Sequence, residues 1–157
     1  MSIALYRVDD RLIHGQVVVG WGQPLGLGFI VLVDDAVRAS AWEQDLYRMG
    51  VPTGVEVIFA SVAEAARGLE AWQQDPRVGL MLTGDIGSMA RLAAASPAVH
   101  RINIGGVHHR PGRAEHLRYV YLTEEEVAAL RELAARGLDI FAQDVPTARA
   151  VPFKEFA

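Results

Sequence analysis

"FIVLVDD" (residues 29–35) is five apolar residues in a row followed by two aspartates. A strand with one wet face would alternate polar and apolar. This run is apolar on both faces, which reads as a strand buried on both sides in a parallel sheet. The same unit recurs on either side of it. "SIALYRV" (2–8) reads as a strand, followed by a loop and a short helix from about Gly15 to Trp21. After residue 35, Ala39, Trp42, Leu46 and Met49 fall at helical spacing, and Gly50 and Pro52 stop that helix. "VEVIFA" (55–60) gives a third strand. Ser61 and Glu64 form a capping-box pattern ahead of a helix with Val62, Ala65, Ala66, Leu69 and Trp72 on one face. "VGLMLT" (78–83) is a fourth strand, with a helix marked by Ile86, Met89 and Leu92. "HRINIGG" (100–106) is a fifth, ending in a double glycine.

Beyond residue 106 the rhythm breaks. "VHHRPGRAE" (107–115) has no helical period, and "LRYVYL" (117–122) alternates like a strand. Two strands joined only by a loop predict an antiparallel or edge position. Thr123 and Glu126 form a second capping-box pattern, Val127, Leu130 and Ala134 line its helix, and Gly137 ends it. "LDIFAQ" (138–143) is a last strand, and residues 149–157 read as a C-terminal tail. The pattern predicts a single α/β domain over 1–157. It is an open, mostly parallel sheet of about seven strands, one of them antiparallel, with helices on both faces. Ligands of such sheets bind beyond the carboxyl ends of the strands. His14, Asp34, Asp35 and the Gly105–Gly106 turn all fall at predicted strand ends and are expected to share one rim.

Composition narrows the function. The chain of 157 residues is 51% hydrophobic and 22% charged, as expected for a globular domain. A net charge of −4 argues against a general nucleic-acid partner. The absence of cysteine excludes thiolate catalysis, disulfides and Cys-based zinc sites. Early charges at Arg7, Asp9, Asp10 and Arg11 argue against a signal peptide. No uncharged run is long enough for a membrane span, so a cytoplasmic protein is expected.

The chemistry concentrates in "RVDDRLIHGQV" (7–17). His14 follows the first strand and precedes a helix, whose free N–H groups and partial positive charge favour an anion. Gly15 leaves room for close approach, and Arg11 is able to fork onto phosphoryl oxygens. A neutral imidazole is a nucleophile near pH 7. The bland alternative, a histidine that caps the helix or bonds a nearby carbonyl, stays open on these residues alone. Asp9 and Asp10 are candidates to orient the His14 ring or restrain Arg11, or belong to a solvated turn. Asp34 and Asp35 resemble Mg²⁺-binding carboxylates but equally suit helix caps. His108 and His109 point opposite ways if extended, so a loop on the rim is expected rather than a metal site. A nucleotide-binding glycine loop, a nucleophile elbow and the lysine of a phospho-aspartate receiver are all missing; the one lysine, Lys154, lies in the tail.

"RVDDRLIHGQVVVGW" (7–21) closely resembles the active-site segment of enzyme IIB subunits of the mannose–fructose–sorbose class of the bacterial phosphotransferase system. "IVLVDD" (30–35), "INIGG" (102–106) and "DVPTARAV" (144–151) resemble further family segments in the same order. The resemblance implies that His14 is the phosphorylated histidine, accepting through Nδ1 from a phosphohistidine on enzyme IIA. It implies passage of the group to a sugar entering through membrane subunits IIC and IID. It assigns Arg11 to the phosphoryl group; the reading of the loop adds Gly15 and Gln16 as candidate phosphoryl-binding residues, and Asp10 and Asp34 as candidate orienting or rim residues. No cofactor or metal is needed if Arg11 and the helix N–H groups neutralise the group in transfer. A homodimer is left open. Two other readings stand beside it. One is a regulatory phosphocarrier of a system without transport. The other is a histidine phosphatase, disfavoured because Ile13 stands where that family needs an arginine to grip phosphate.

Overall fold

The computed structural model describes residues 2–157, the side chain of Gln16 excepted. Seven strands form one sheet in the order β3-β2-β4-β1-β5-β8-β9. They are β1 (Ile3–Val8), β2 (Leu27–Val33), β3 (Glu56–Ala60), β4 (Val78–Thr83), β5 (Arg101–Ile104), β8 (Asp139–Ala142) and β9 (Val151–Pro152). A separate hairpin pairs β6 (Ala114–Leu117) with β7 (Val120–Leu122). The apolar run that decided the fold class is β2, buried from Phe29 to Val33 between parallel neighbours β3 and β4.

Two apolar layers sit on the two faces. One gathers Tyr6 and Val8 of β1 with α4 (Val62–Gln73), α5 (Ile86–Ala95) and α6 (Glu124–Ala135). The other gathers Leu5, Ile30, Leu32, Leu80 and Leu82 under Val17, Val18, Trp21 and Val37. Both expected capping boxes are present, at Ser61–Glu64 and Thr123–Glu126, where each side chain satisfies a helix N–H that would otherwise lack a partner. β1 and β5 are neighbours whose following segments leave on opposite faces, and a crevice opens between strand ends at such a switch point.

Several expectations are corrected or sharpened. The stretch 117–122 is not a strand of the main sheet: Arg118 and Tyr119 turn the chain, splitting it between β6 and β7. The antiparallel strand is β9, which pairs with β8 through Phe141↔Pro152 and Ala142↔Val151. The stretch read as a tail therefore supplies the sheet edge and a short helix, α7 (Phe153–Phe156), with Phe156 buried in the core. The helix after the first strand is a π-helical segment, Gln16–Trp21, running into α1 (Gly22–Leu25). Finally, α3 (Ala41–Met49) is a helix as its spacing predicts, but its apolar stripe does not enter the core: Trp42, Leu46 and Met49 are exposed. α2 (Asp35–Arg38) precedes it as a single turn.

Because Phe156 is packed inside rather than trailing, Phe156→Ala should lower unfolding free energy by about 3 kcal/mol or more, as for other buried aromatic truncations. Urea unfolding measures this; an unchanged midpoint would mean the C-terminal segment is not part of the folded unit.

Candidate functional site

The loop after β1 is stitched to the ends of both neighbouring strands. The Asp9 N–H donates to the Thr83 carbonyl after β4 (2.9 Å), and the Asp10 N–H donates to the Gly106 carbonyl after β5 (2.8 Å). Leu12 then takes a left-handed conformation, φ 58°, its N–H returning to the Asp9 carbonyl at 3.0 Å. A side chain in that region costs roughly 1–2 kcal/mol. Burial of Leu12 and Ile13 in the apolar layer below holds it there. The result is that the next residue, His14, is delivered onto the rim, with its carbonyl accepting from the N–H groups of Val17 and Val18.

Asp9 is the hub. It is fully buried, and its Oδ1 accepts both the backbone N–H and the Nε of Arg11, each at 3.1 Å. Its Oδ2 accepts from Arg7 Nη2 at 3.0 Å and Arg11 Nη2 at 3.1 Å. The His14 Nε2 lies 3.4 Å from the same oxygen. Burial alone would push the carboxyl up. Its bonds to His14 and Arg11 and the charges of Arg7 and Arg11 outweigh burial and hold it well below the usual carboxylate range.

Arg7 is buried too, on the face of β1 beneath the π-helical segment, its guanidinium 5.2 Å from the centre of the Trp21 ring. Burial pulls it below the ordinary arginine range against the attraction of Asp9. Its Nη1 donates to Asn103 Oδ1 and to the Gln143 carbonyl (2.9 Å); its Nη2 donates also to the Asp144 carbonyl (2.9 Å). The Trp21 indole N–H reaches that same Asp144 carbonyl at 3.2 Å. The Asp144 carboxylate lies 3.6 Å from Arg11.

The double glycine of the fifth strand is explained by this network. A Cβ on Gly105 would sit 2.2 Å from Arg7 Nη2 and 2.8 Å from Asp9 Oδ2, where no atom fits. A Cβ on Gly106 would sit 3.2 Å from Arg11 Nη2 and equally close to His108 Cε1.

The predicted site residues separate into two groups. His14 and Arg11 meet at Asp9, about one fifth and one third exposed respectively. Gly15 takes right-handed helical dihedrals with open space around its Cβ position, so the fold itself does not require a glycine there. The side chain of Gln16 lies outside the described residues. Asp10, expected to orient His14 or Arg11, instead gives both carboxylate oxygens to His108: Oδ2 accepts its backbone N–H (2.7 Å) and Oδ1 meets its Nδ1 (2.6 Å). Asp34 spends Oδ1 on the Val37 N–H as the cap of α2, and Asp35 accepts the Val62 N–H, so the cap reading of this pair is the one their bonds support. His109 stands apart, edge-on to the Tyr121 ring. Arg7, Asn103 and Asp144 were not anticipated. Arg7 left a signal: it is the one charge in the apolar stretch 2–8, and a charge inside a buried strand needs a buried partner.

The chain is thus an open α/β protein whose switch-point rim gathers a histidine and an arginine on one buried carboxylate. The family described as PTS system sorbose subfamily IIB component matches residues 3–157, and the chain belongs to that family, one of phosphotransferase-system sugar-transport components. It is 32% identical over 143 residues to the sorbose-specific EIIB component of Klebsiella pneumoniae, covering 89% of this chain and 85% of that protein. It is 29% identical over 150 residues to the N-acetylgalactosamine-specific enzyme IIB component 2 of Escherichia coli K12, covering 96% and 95%. Against the mannose-specific EIIAB component of the same organism it is 29% identical but spans only 46% of the longer protein. The crystal structure of the IIBSor domain of the Klebsiella pneumoniae sorbose permease superposes with a TM-score of 0.88 at 28% identity, covering 97% of this chain and 93% of that one. Among the described residues no helix is long and apolar enough to cross a membrane.

Two outcomes test the network. Arg7→Met leaves Asp9 buried with one fewer cation and should destabilise the fold by about 3–5 kcal/mol in denaturant unfolding. Because the folded Asp9 carboxyl lies below its unfolded value near about 4, its contribution is complete above that pH and is lost as pH falls toward the folded value. The stability advantage of wild type over Asp9→Asn should therefore shrink between about pH 5 and pH 2; a difference constant across that range would remove Asp9 from the charge network.

Proposed function

We propose that the protein is the IIB phosphocarrier of a sugar phosphotransferase system, carrying a phosphoryl group on His14. The observation that carries this reading is the shared Asp9 oxygen, which faces His14 Nε2 and Arg11 Nη2 together. A buried carboxylate beside Nε2 keeps the ring proton on that nitrogen and leaves the lone pair on Nδ1. Nδ1 is then the nucleophile. As it bonds phosphorus, the ring becomes a phosphoimidazolium whose Nε2–H stays against a carboxylate that remains charged. The bond between phosphorus and the donor nitrogen breaks as the new one forms, and its electron pair returns to the donor. No large change in bond energy is needed between two histidines; the protein supplies position and charge. In this reading Arg11, one third exposed, follows the phosphoryl oxygens while its backbone N–H stays on Asp9.

The donor in this reading is the phosphohistidine of an enzyme IIA, an assignment supported by the EIIAB architecture of the mannose-specific relative, and the acceptor is a sugar entering through membrane subunits IIC and IID. The protein then works at the cytoplasmic side of the membrane. The exposed stripe of α3 has a place in this scheme. Ile13, next to His14, shares a groove with Trp42, Leu46 and Tyr47, so a donor that covers His14 also covers that apolar face.

Reconstitution with phosphoenolpyruvate, enzyme I, the histidine carrier protein and candidate enzyme IIA subunits should place acid-labile label on the wild type and none on His14→Ala. Label stably retained by His14→Ala would overturn the assignment. Arg11→Ala should fold and accept phosphate about ten- to a hundredfold more slowly, the loss of one charge-assisted hydrogen bond; wild-type kinetics would take Arg11 out of the transfer.

A further inference from the structure

His108 is exposed, yet it is held at three points. Its N–H and its Nδ1 both engage Asp10, and its carbonyl accepts from Arg113 Nη1 at 3.0 Å, whose other nitrogens are fixed on Glu126. An exposed side chain that needed only to be solvated would keep its rotamer freedom, because fixing it costs entropy. The ring is also held in a particular place. Its Cε1 edge and the Arg11 guanidinium both lie 3.2 Å from one point above Gly106, so they flank the same glycine. The residue that clamps it, Asp10, sits between Asp9 and Arg11 in the loop that carries His14, and is itself only 11% exposed on its side chain.

Resting on the reading of His14 as phosphoryl acceptor, we propose that His108, oriented by Asp10, is a second group that contacts the phosphoryl group at His14, donating from Nε2 beside Arg11. With Nδ1 engaged by Asp10, Nε2 is the ring nitrogen left for an oxygen at the rim, and it donates when the ring carries both protons. A phosphoryl group in flight spreads charge over three oxygens, and a single arginine already committed to Asp9 and near Asp144 is partly neutralised. A second donor beside the same glycine supplies what Arg11 lacks. The charged groups in contact with or next to His108 are Asp10 from the loop after β1, Arg11 at Gly106, and Arg113, which is itself paired with Glu126. His108 moves no proton in this step: phosphorus exchanges one nitrogen for another, and the His108 ring only holds an oxygen.

The test uses phosphoramidate as a small donor, whose phosphorus–nitrogen bond breaks as the bond to His14 forms, ammonia leaving with the electron pair. ³¹P NMR follows the phosphohistidine signal that is absent from His14→Ala. His108→Ala should form it about ten- to a hundredfold more slowly, the range for one hydrogen bond to a charged group, and His108→Arg should recover most of the rate. Thermal unfolding of both variants, at an exposed position, should match wild type. In ¹⁵N-labelled wild type, phosphorylation of His14 should shift the His108 Nε2 resonance. A wild-type rate in His108→Ala overturns the proposal. So does an unmoved His108 resonance, which is the result for a histidine that merely clips its loop to Asp10. A wild type that gives no His14-dependent signal removes the acceptor itself, a failure the His108 variants alone do not produce.

Discussion

Two arginines and a histidine converge on the buried carboxylate of Asp9, and the rest of the site is arranged around that convergence. A carboxylate taken out of water is tolerated only when it is paired and hydrogen-bonded. Arg7 meets that demand from β1, and Arg7 in turn needs acceptors of its own, found at Asn103 and at the carbonyls of Gln143 and Asp144. One buried ion pair thus ties together β1, β5 and the loop after β8. Those are the strand ends that form the crevice.

The same constraint fixes residues that look unrelated to it. Gly105 must lack a side chain because the Arg7 guanidinium occupies that space. Trp21 lies over the same guanidinium and bonds the Asp144 carbonyl, which anchors the end of the π-helical segment that begins two residues after His14. The left-handed Leu12 delivers His14 to the rim only because Asp9 and Asp10 pin the loop start to both neighbouring strands. Position at the site is therefore inherited from packing beneath it, which suits chemistry that depends on placement more than on reactivity.

Several elements were readable from residue patterns because their causes are local. The doubly apolar run 29–33 requires burial on both faces, and that requires a parallel sheet. Ser61–Glu64 and Thr123–Glu126 announce helix starts because the capping box is completed within four residues. The failures have non-local causes. The stripe Trp42–Leu46–Met49 has helical period, but period says nothing of what lies opposite, and among the described residues these three side chains stay exposed. Residues 151–152 are too few to show a strand period; pairing with β8 makes them one. Asp9 and Asp10 are adjacent and chemically identical. Which one faces His14 depends on the direction of the chain as it leaves β1.

The sequence by itself determined the fold class, the capped helices and the loop that holds the candidate site, since periodicity, caps and a histidine with an arginine and a glycine close by act over a few residues. Only the tertiary structure decided that Asp9 rather than Asp10 holds His14, that Arg7 lies buried against it, that His108 stands beside Arg11, and that the C-terminal segment closes the sheet. The Arg7 and His108 contacts join residues about 100 or more positions apart, the choice of Asp9 turns on the direction of a single side chain, and the C-terminal strand is too short to show a period before β8 pairs with it. Such contacts are set by burial and charge pairing between elements, for which neighbouring residues carry no code.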